Sequence, residues 1–168
     1  FAEGEYLSPE NVIHRHYNPQ REGADAAIEQ AVELIANAKK PIFYIGGGCI
    51  NSGTRACELV TELVKLTGYP ATTTIMGLGA FPASSQQWLG MLGMHGTYES
   101  NLAMYDCDVM VAIGARFDDR VTGRTDAFSP NSKKIHIDID PSSINKNIQV
   151  DVPIIGDVEN VVEEMLEK

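Results

Sequence analysis

The chain has 168 residues, with 13 Lys and Arg against 23 Asp and Glu, a formal charge of −10, 43% hydrophobic and 21% charged residues. That length fits one domain with a sizeable core, and the composition excludes a disordered, collagenous or fibrous chain. The acidic balance repels phosphodiester backbones and anionic lipid heads, so the expected partners are small ligands or proteins, with no nucleic acid and no membrane.

No apolar run approaches the roughly 20 residues that cross a bilayer, and the N-terminus lacks a basic region followed by an apolar one. Cys49, Cys57 and Cys107 are odd in number and contain no Cys-x-x-Cys. They fit reduced, mostly buried thiols better than a metal or redox motif, and the expected compartment is cytoplasmic.

Residues 1 to 22 carry Gly4, Pro9, Asn18 and Pro19 without sustained periodicity and read as a linker or arm from a preceding domain. The domain proper is 23 to 168. From Gly23 the spacing of Ala24, Ile28, Ala31, Val32 and Ile35 predicts a helix, ended by Pro41, with Lys39 and Lys40 placed where cations suit the helix dipole. Ile42 to Ile45 is a short apolar run bounded by Gly46, Gly47 and Gly48, as expected of a parallel strand buried on both faces. A second amphipathic helix, 55 to 66, is closed by Gly68 and Pro70 and followed by a strand at 71 to 75. Residues 76 to 97, rich in Gly, Met and Pro, read as a long and mostly irregular segment, the kind that usually carries function.

A short helix near 98 to 105 precedes a strand at 109 to 113, and two more strands are expected at 134 to 139 and 152 to 155. An amphipathic helix capped by Asp157, 158 to 166, closes the chain. Strands alternating with helices specify an α/β domain with a parallel sheet, whose ligands bind outside the carboxyl ends of the strands.

At the first strand end, Gly46-Gly47-Gly48 would let the backbone approach a pyrophosphate, or would serve only the packing of strand on helix. Gly-x-Gly-x-x-Gly fails at Asn51, and Gly48-x-x-x-x-Gly53 continues as Thr54-Arg55, so a nucleoside triphosphatase loop is absent. Further on, Arg116, Arg120 and Arg124 put three guanidiniums within nine residues. They either face a phosphate or pair on the surface, Arg116 and Arg120 with Asp118 and Asp119. In His136-Ile137-Asp138-Ile139-Asp140 a carboxylate suits a ribose diol. No third ligand makes Asp138 and Asp140 a metal site, His14, Arg15 and His16 form no ligand motif, and nucleophilic catalysis has no motif in support. His95 reads as a ligand-contacting or packed histidine.

Met76-Gly77-Leu78-Gly79-Ala80-Phe81-Pro82, Leu89 to Glu99 and Gly114 to Gly123 closely resemble the central domain of acetolactate synthase (acetohydroxyacid synthase) catalytic subunits, the likeness running from about Gly23 to the C-terminus. Within the thiamine diphosphate enzymes the run Arg116 to Gly123 is specific to that family. The resemblance implies a Rossmann-like, three-layer α/β domain, its six-stranded parallel sheet flanked by helices, lying between two thiamine-binding domains and carrying FAD. It implies a parent enzyme that joins two pyruvates, or pyruvate and 2-ketobutyrate, using thiamine diphosphate and Mg²⁺ held elsewhere. The implied parent is a homo-oligomer with a regulatory small subunit. Gly156-Asp157-Val158 is the nearest approach to the Gly-Asp-Gly signature that anchors thiamine diphosphate, so no catalytic residue and no metal ligand is expected here.

By the same resemblance the flavin nucleotide lies against Gly46, Gly47, Gly48, Thr74, Ile75 and Met76. It continues along Leu92, Gly93, Met94 and His95, then Gly114, Ala115, Arg116, Asp118, Arg120 and Val121. The adenosine half meets Asp138, Ile139, Asp157 and Val158. Met94, Asp119 and Arg120 also face the channel used by 2-oxo acid substrates and inhibitors. The competing expectations are a free-standing nucleotide-binding or electron-transfer module, and an interaction module with an empty cleft. The run Arg116 to Gly123 favours the carboligase domain over the first of these, and an absorbance spectrum after flavin addition tests the second.

Overall fold

The structure is a computed structural model that describes Ser8 and residues 19–168, so most of the expected arm, with His14, Arg15 and His16, lies outside the described residues. Six strands form one parallel sheet: β1 (Pro41–Ile45), β2 (Ala71–Thr73), β3 (Trp88–Met91), β4 (Val109–Ile113), β5 (Lys133–Asp138) and β6 (Val152–Ile155), in the order β3-β2-β1-β4-β5-β6. The helices are α1 (Asp25–Ala36), α2 (Gly47–Ser52), α3 (Thr54–Thr67), α4 (Tyr98–Asp106), α5 (Asp119–Thr122) and α6 (Val158–Glu167). The chain winds outward from β1 to β3, returns to lay β4 beside β1, and winds outward again to β6. That reversal puts a topological switch point between the carboxyl ends of β1 and β4.

The period-2 alternation of the strands divides the core. Phe43 and Ile45 of β1, Val111 and Ile113 of β4 and Ile135 and Ile137 of β5 face one side, against Ile28 and Ile35 of α1, Leu59 and Leu63 of α3, and Val161 and Val162 of α6. Ile42, Tyr44, Met110 and Ala112 face the other side, with Leu92, Phe117, Phe128 and Ile148. Both faces of β1 and β4 are therefore buried, which is why these strands read as unbroken apolar runs.

Several expectations are corrected. Residues 76 to 97 are mostly irregular, but they contain an unexpected strand, β3, a half-buried edge strand whose Gly90 has φ +98° and whose pairing with β2 shifts register. Such a strand has neither the length nor the β-branched run that marks β4. The strand expected at 71 to 75 stops at Thr73, because Thr74 turns the chain: its Oγ1 accepts the Gly77 N–H (2.9 Å), capping a 3-10 turn at Ile75–Gly77. Lys39 and Lys40 lie beyond the end of α1, where their N–H groups donate to the Asp108 carboxylate (2.7 and 2.9 Å). Asp157 caps α6 as expected, accepting the Glu159 N–H at 3.1 Å.

Candidate functional site

The carboxyl ends of all six strands lie on one edge, and the expected site residues fall at those ends or in the turns and first helical residues just past them. At the switch point two glycine turns touch. The Gly46 N–H donates to the Ile113 carbonyl and the Gly48 N–H to that of Gly114, both at 2.9 Å, extending the β1–β4 ladder beyond the strands. A Cβ added to Gly48 would fall 2.6 Å from Gly114 Cα, and one added to Gly114, whose φ is +58°, 2.7 Å from Gly48 Cα. The glycines at 46, 48 and 114 are thus required by the approach of backbone to backbone. Gly47 differs: its missing side chain would meet Met76 of the loop after β2, at 3.0 Å.

The loop after β3 is bound to the loop after β4. The Met94 N–H donates to the Arg120 carbonyl (2.8 Å), and Gly93, with φ +103°, leaves no room for a Cβ against that same oxygen. Asn101 clamps the loop from α4, donating from Nδ2 to the Gly93 carbonyl (3.1 Å) and accepting the Gly93 N–H at Oδ1 (3.2 Å). On the far side of Arg116, the Asn147 side chain donates to the Phe117 carbonyl (2.8 Å). Neither asparagine stands out in the sequence, since each acts across a distance only the fold creates.

The arginines pair locally. Arg116 reaches Asp118 at 3.1 Å, Arg120 reaches Asp119 at 2.8 Å and Arg124 reaches Asp126 at 2.6 Å, with all three guanidiniums largely exposed. The surface-network alternative describes this arrangement. Exposed pairs of this kind are weak, so the guanidiniums stay free to exchange a carboxylate for another anion. Asp138, at the end of β5, is buried and accepts the Asp140 N–H at Oδ1 (2.9 Å). Asp157 accepts a hydrogen bond from Ser52 Oγ as well as capping α6.

Not every expected contact points outward. Leu92 and Val158 bury their side chains in the two core clusters and Ala115 is 1% exposed, so these three can meet a ligand only through backbone. Val121 is half-buried against the second cluster, and Ile139 lies partly buried just past β5. Ile75, Met76 and Met94 instead expose 65 to 73% of their surface along the edge, and His95 is exposed. Guanidiniums, a strand-end carboxylate and exposed apolar side chains on one edge are the groups that suit a diphosphate, a ribose diol and a ring system. At about 4.8 Å per strand gap the edge spans roughly 24 Å from β3 to β6, room for both halves of a dinucleotide. Two grooves of about 290 and 280 Å³ lie at the opposite, amino-end side: one is lined by Val32, Leu63, Leu66 and Leu166, the other by Lys39, Pro41, Tyr69 and Asp106.

Among the described residues no group of three or more His, Cys, Asp or Glu is placed to hold a metal ion, and no helix is long and apolar enough to cross a membrane. Cys49 and Cys107 are buried and Cys57 half-buried, all three as free thiols. Burial pushes the Cys49 thiol up to about 12, which keeps it protonated.

The doubly wound parallel sheet, flanked by helices, defines a Rossmann-like, three-layer α/β domain. The family described as "Thiamine pyrophosphate enzyme, central domain" matches residues 28–165, and the chain belongs to it. The chain is 48% identical over 162 residues to the acetolactate synthase isozyme 3 large subunit of Escherichia coli (strain K12), covering 96% of this chain and 28% of that protein. It is 47% identical over 161 residues to the acetolactate synthase large subunit of Haemophilus influenzae, with the same coverage, 96% and 28%. It is 49% identical over 151 residues to an acetolactate synthase of Mycobacterium avium, covering 90% of this chain and 24% of that protein. The chain thus spans about a quarter of the length of these relatives.

Proposed function

We propose that this chain is the FAD-binding central domain of an acetolactate synthase large subunit. The observation that carries the reading is the convergence, on one sheet edge, of the glycine turns, the Arg116 to Gly123 run and the loops at Met76 and Met94, within a chain 48% identical to such a subunit over 96% of its length. Arg116 would meet the flavin diphosphate, displacing Asp118, while Gly47 leaves the Met76 loop free to lie against the nucleotide. Asp138 would take the ribose diol. The exposed Ile75, Met76 and Met94 would cover the ring. Of the adenosine contacts, Asp157 keeps only the carboxylate capacity that Ser52 and the α6 cap leave over, and Val158 acts through its backbone.

In the parent enzyme thiamine diphosphate with Mg²⁺, held outside this domain, supplies the carbon–carbon ligation of 2-oxo acids. This chain's part is to bind and orient. Arg120 and Asp119, tied through the Arg120 carbonyl to the Met94 loop, would line the channel that the substrate carboxylate passes. A homo-oligomer joined by a regulatory small subunit, working in the cytoplasm, completes the reading. Its test is an equilibrium titration of the full-length parent with FAD, together with an acetolactate assay. The reading expects saturable flavin binding, and acetolactate formation that requires thiamine diphosphate and Mg²⁺. Full activity in a parent that takes up no flavin would overturn the assignment of this edge.

A further inference from the structure

Beneath the arginine turn lies a side chain that no part of the flavin reading uses. His136 sits in β5 with 0% exposure. It is in register with Ala112 of β4, which is in turn in register with Tyr44 of β1. Two rings thus flank a small alanine on one face of the sheet, and the Phe117 ring fills the space between them. Its centroid lies 5.0 Å from His136, edge to face at 69°, and 6.0 Å from Tyr44. His136 Nε2 lies 2.9 Å from the Ala115 carbonyl oxygen. A carbonyl can only accept, so Nε2 carries the proton, and Nδ1, buried without a hydrogen-bond partner, is left as an idle acceptor. The Asp138 carboxylate, at 3.7 Å, is too far to compete for the Nε2 proton.

We propose that His136 is a positioning residue for Arg116: from beneath the turn it holds the backbone on both sides of the arginine, residue 115 by a hydrogen bond and residue 117 by an edge-to-face ring contact. The exposed guanidinium has no buried anchor of its own, so its place on the edge is set by the backbone that carries it. Burial holds the imidazole below its usual range and keeps it neutral, the form in which a single N–H faces the carbonyl. The geometric claim concerns the turn alone. Its consequence for ligand affinity rests on the flavin reading.

The test uses the full-length parent chain with His136→Phe, which keeps a ring against Phe117 but has no donor, and His136→Gln, whose amide nitrogen reaches about as far as Nε2. In hydrogen exchange, His136→Phe should speed exchange across residues 115–121 by about tenfold or more, with His136→Gln close to wild type, because only the first leaves a buried carbonyl unmet. Flavin affinity should fall about tenfold in His136→Phe and recover in His136→Gln. In an Arg116→Ala background His136→Phe should cost little more, since the two residues act on one contact. Unchanged exchange at 115–121, or equal affinity losses with and without Arg116, would overturn the proposal. Imidazole ¹⁵N spectra of the wild type decide the matter even if His136→Phe fails to fold: they should show a neutral ring protonated at Nε2, and an Nδ1–H or charged ring at neutral pH would overturn it. A wild type that takes up no FAD would sink the flavin reading, leaving the exchange and ¹⁵N results to decide the positioning role.

Discussion

Gly47 and Gly48 are neighbours with different duties, and substitution should separate them. A side chain at 48 meets the Gly114 backbone, which cannot yield without parting the β1 and β4 turns, whereas one at 47 meets Met76 at its Cβ (3.0 Å) and carbonyl oxygen (3.2 Å), where an exposed residue need give by only a few tenths of an ångström. Gly48→Ala should therefore destabilise the domain by about 1–3 kcal/mol in chemical denaturation, the usual cost of overpacking, and Gly47→Ala by much less. Gly47→Val, which reorients the Met76 loop, should show itself in flavin affinity. His136 adds a pH signature. Its folded value is depressed, chiefly by burial, with Asp138 opposing, so below the unfolded value of about 6.5 the unfolded chain binds the extra proton. Stability from this group is complete above that pH and declines as pH falls toward the folded value, with a slope of up to about 1.4 kcal/mol per pH unit. Denaturation at about pH 7.5 and pH 5.5 should show this loss in the wild type and its absence in His136→Gln.

Among the elements, α6 and α5 offer contrasting predictions. Asp157 caps α6 and receives Ser52 Oγ, joining the end of α2 to the start of α6. Asp157→Ala should cost about 1–2 kcal/mol of stability, a cap's usual worth, and should be read in denaturation before any loss of flavin is ascribed to the missing carboxylate. α5 is a single turn, and its Arg120 is exposed and paired only with Asp119 among the contacts described. Arg120→Ala in the full-length enzyme should leave the flavin spectrum and most of the thermal stability intact. A guanidinium can orient a 2-oxo acid carboxylate through paired hydrogen bonds, so its loss should shift the product ratio when pyruvate and 2-ketobutyrate compete. An unchanged ratio with flavin lost would make Arg120 a cofactor anchor.

For the whole molecule, what was legible in the sequence follows from how local each signal is. β1 and β4 read as strands because both their faces are buried and no polar residue interrupts them. α1, α3 and α6 read as helices because each buries one stripe on the sheet. β3 escaped because an edge strand with a positive-φ glycine lacks any such run, and only its pairing with β2 makes it a strand. The five strand ends legible in the sequence gather on one edge, yet Asn147 and Ser52 acquire their roles only through long-range contacts, and Asn101 through the loop that folds back onto it. His136 left a trace, the alternation of His136, Asp138 and Asp140, but nothing local said that its ring would lie under Arg116. The domain holds no thiamine-anchoring motif, so by itself it should form no acetolactate from pyruvate even with thiamine diphosphate, Mg²⁺ and FAD supplied. The central claim, that this sheet edge holds a flavin through Arg116, is tested most directly by FAD affinity in the full-length parent with and without Arg116→Ala. Loss of a charged hydrogen bond predicts binding weakened roughly ten- to a hundredfold, and unchanged affinity would contradict the account.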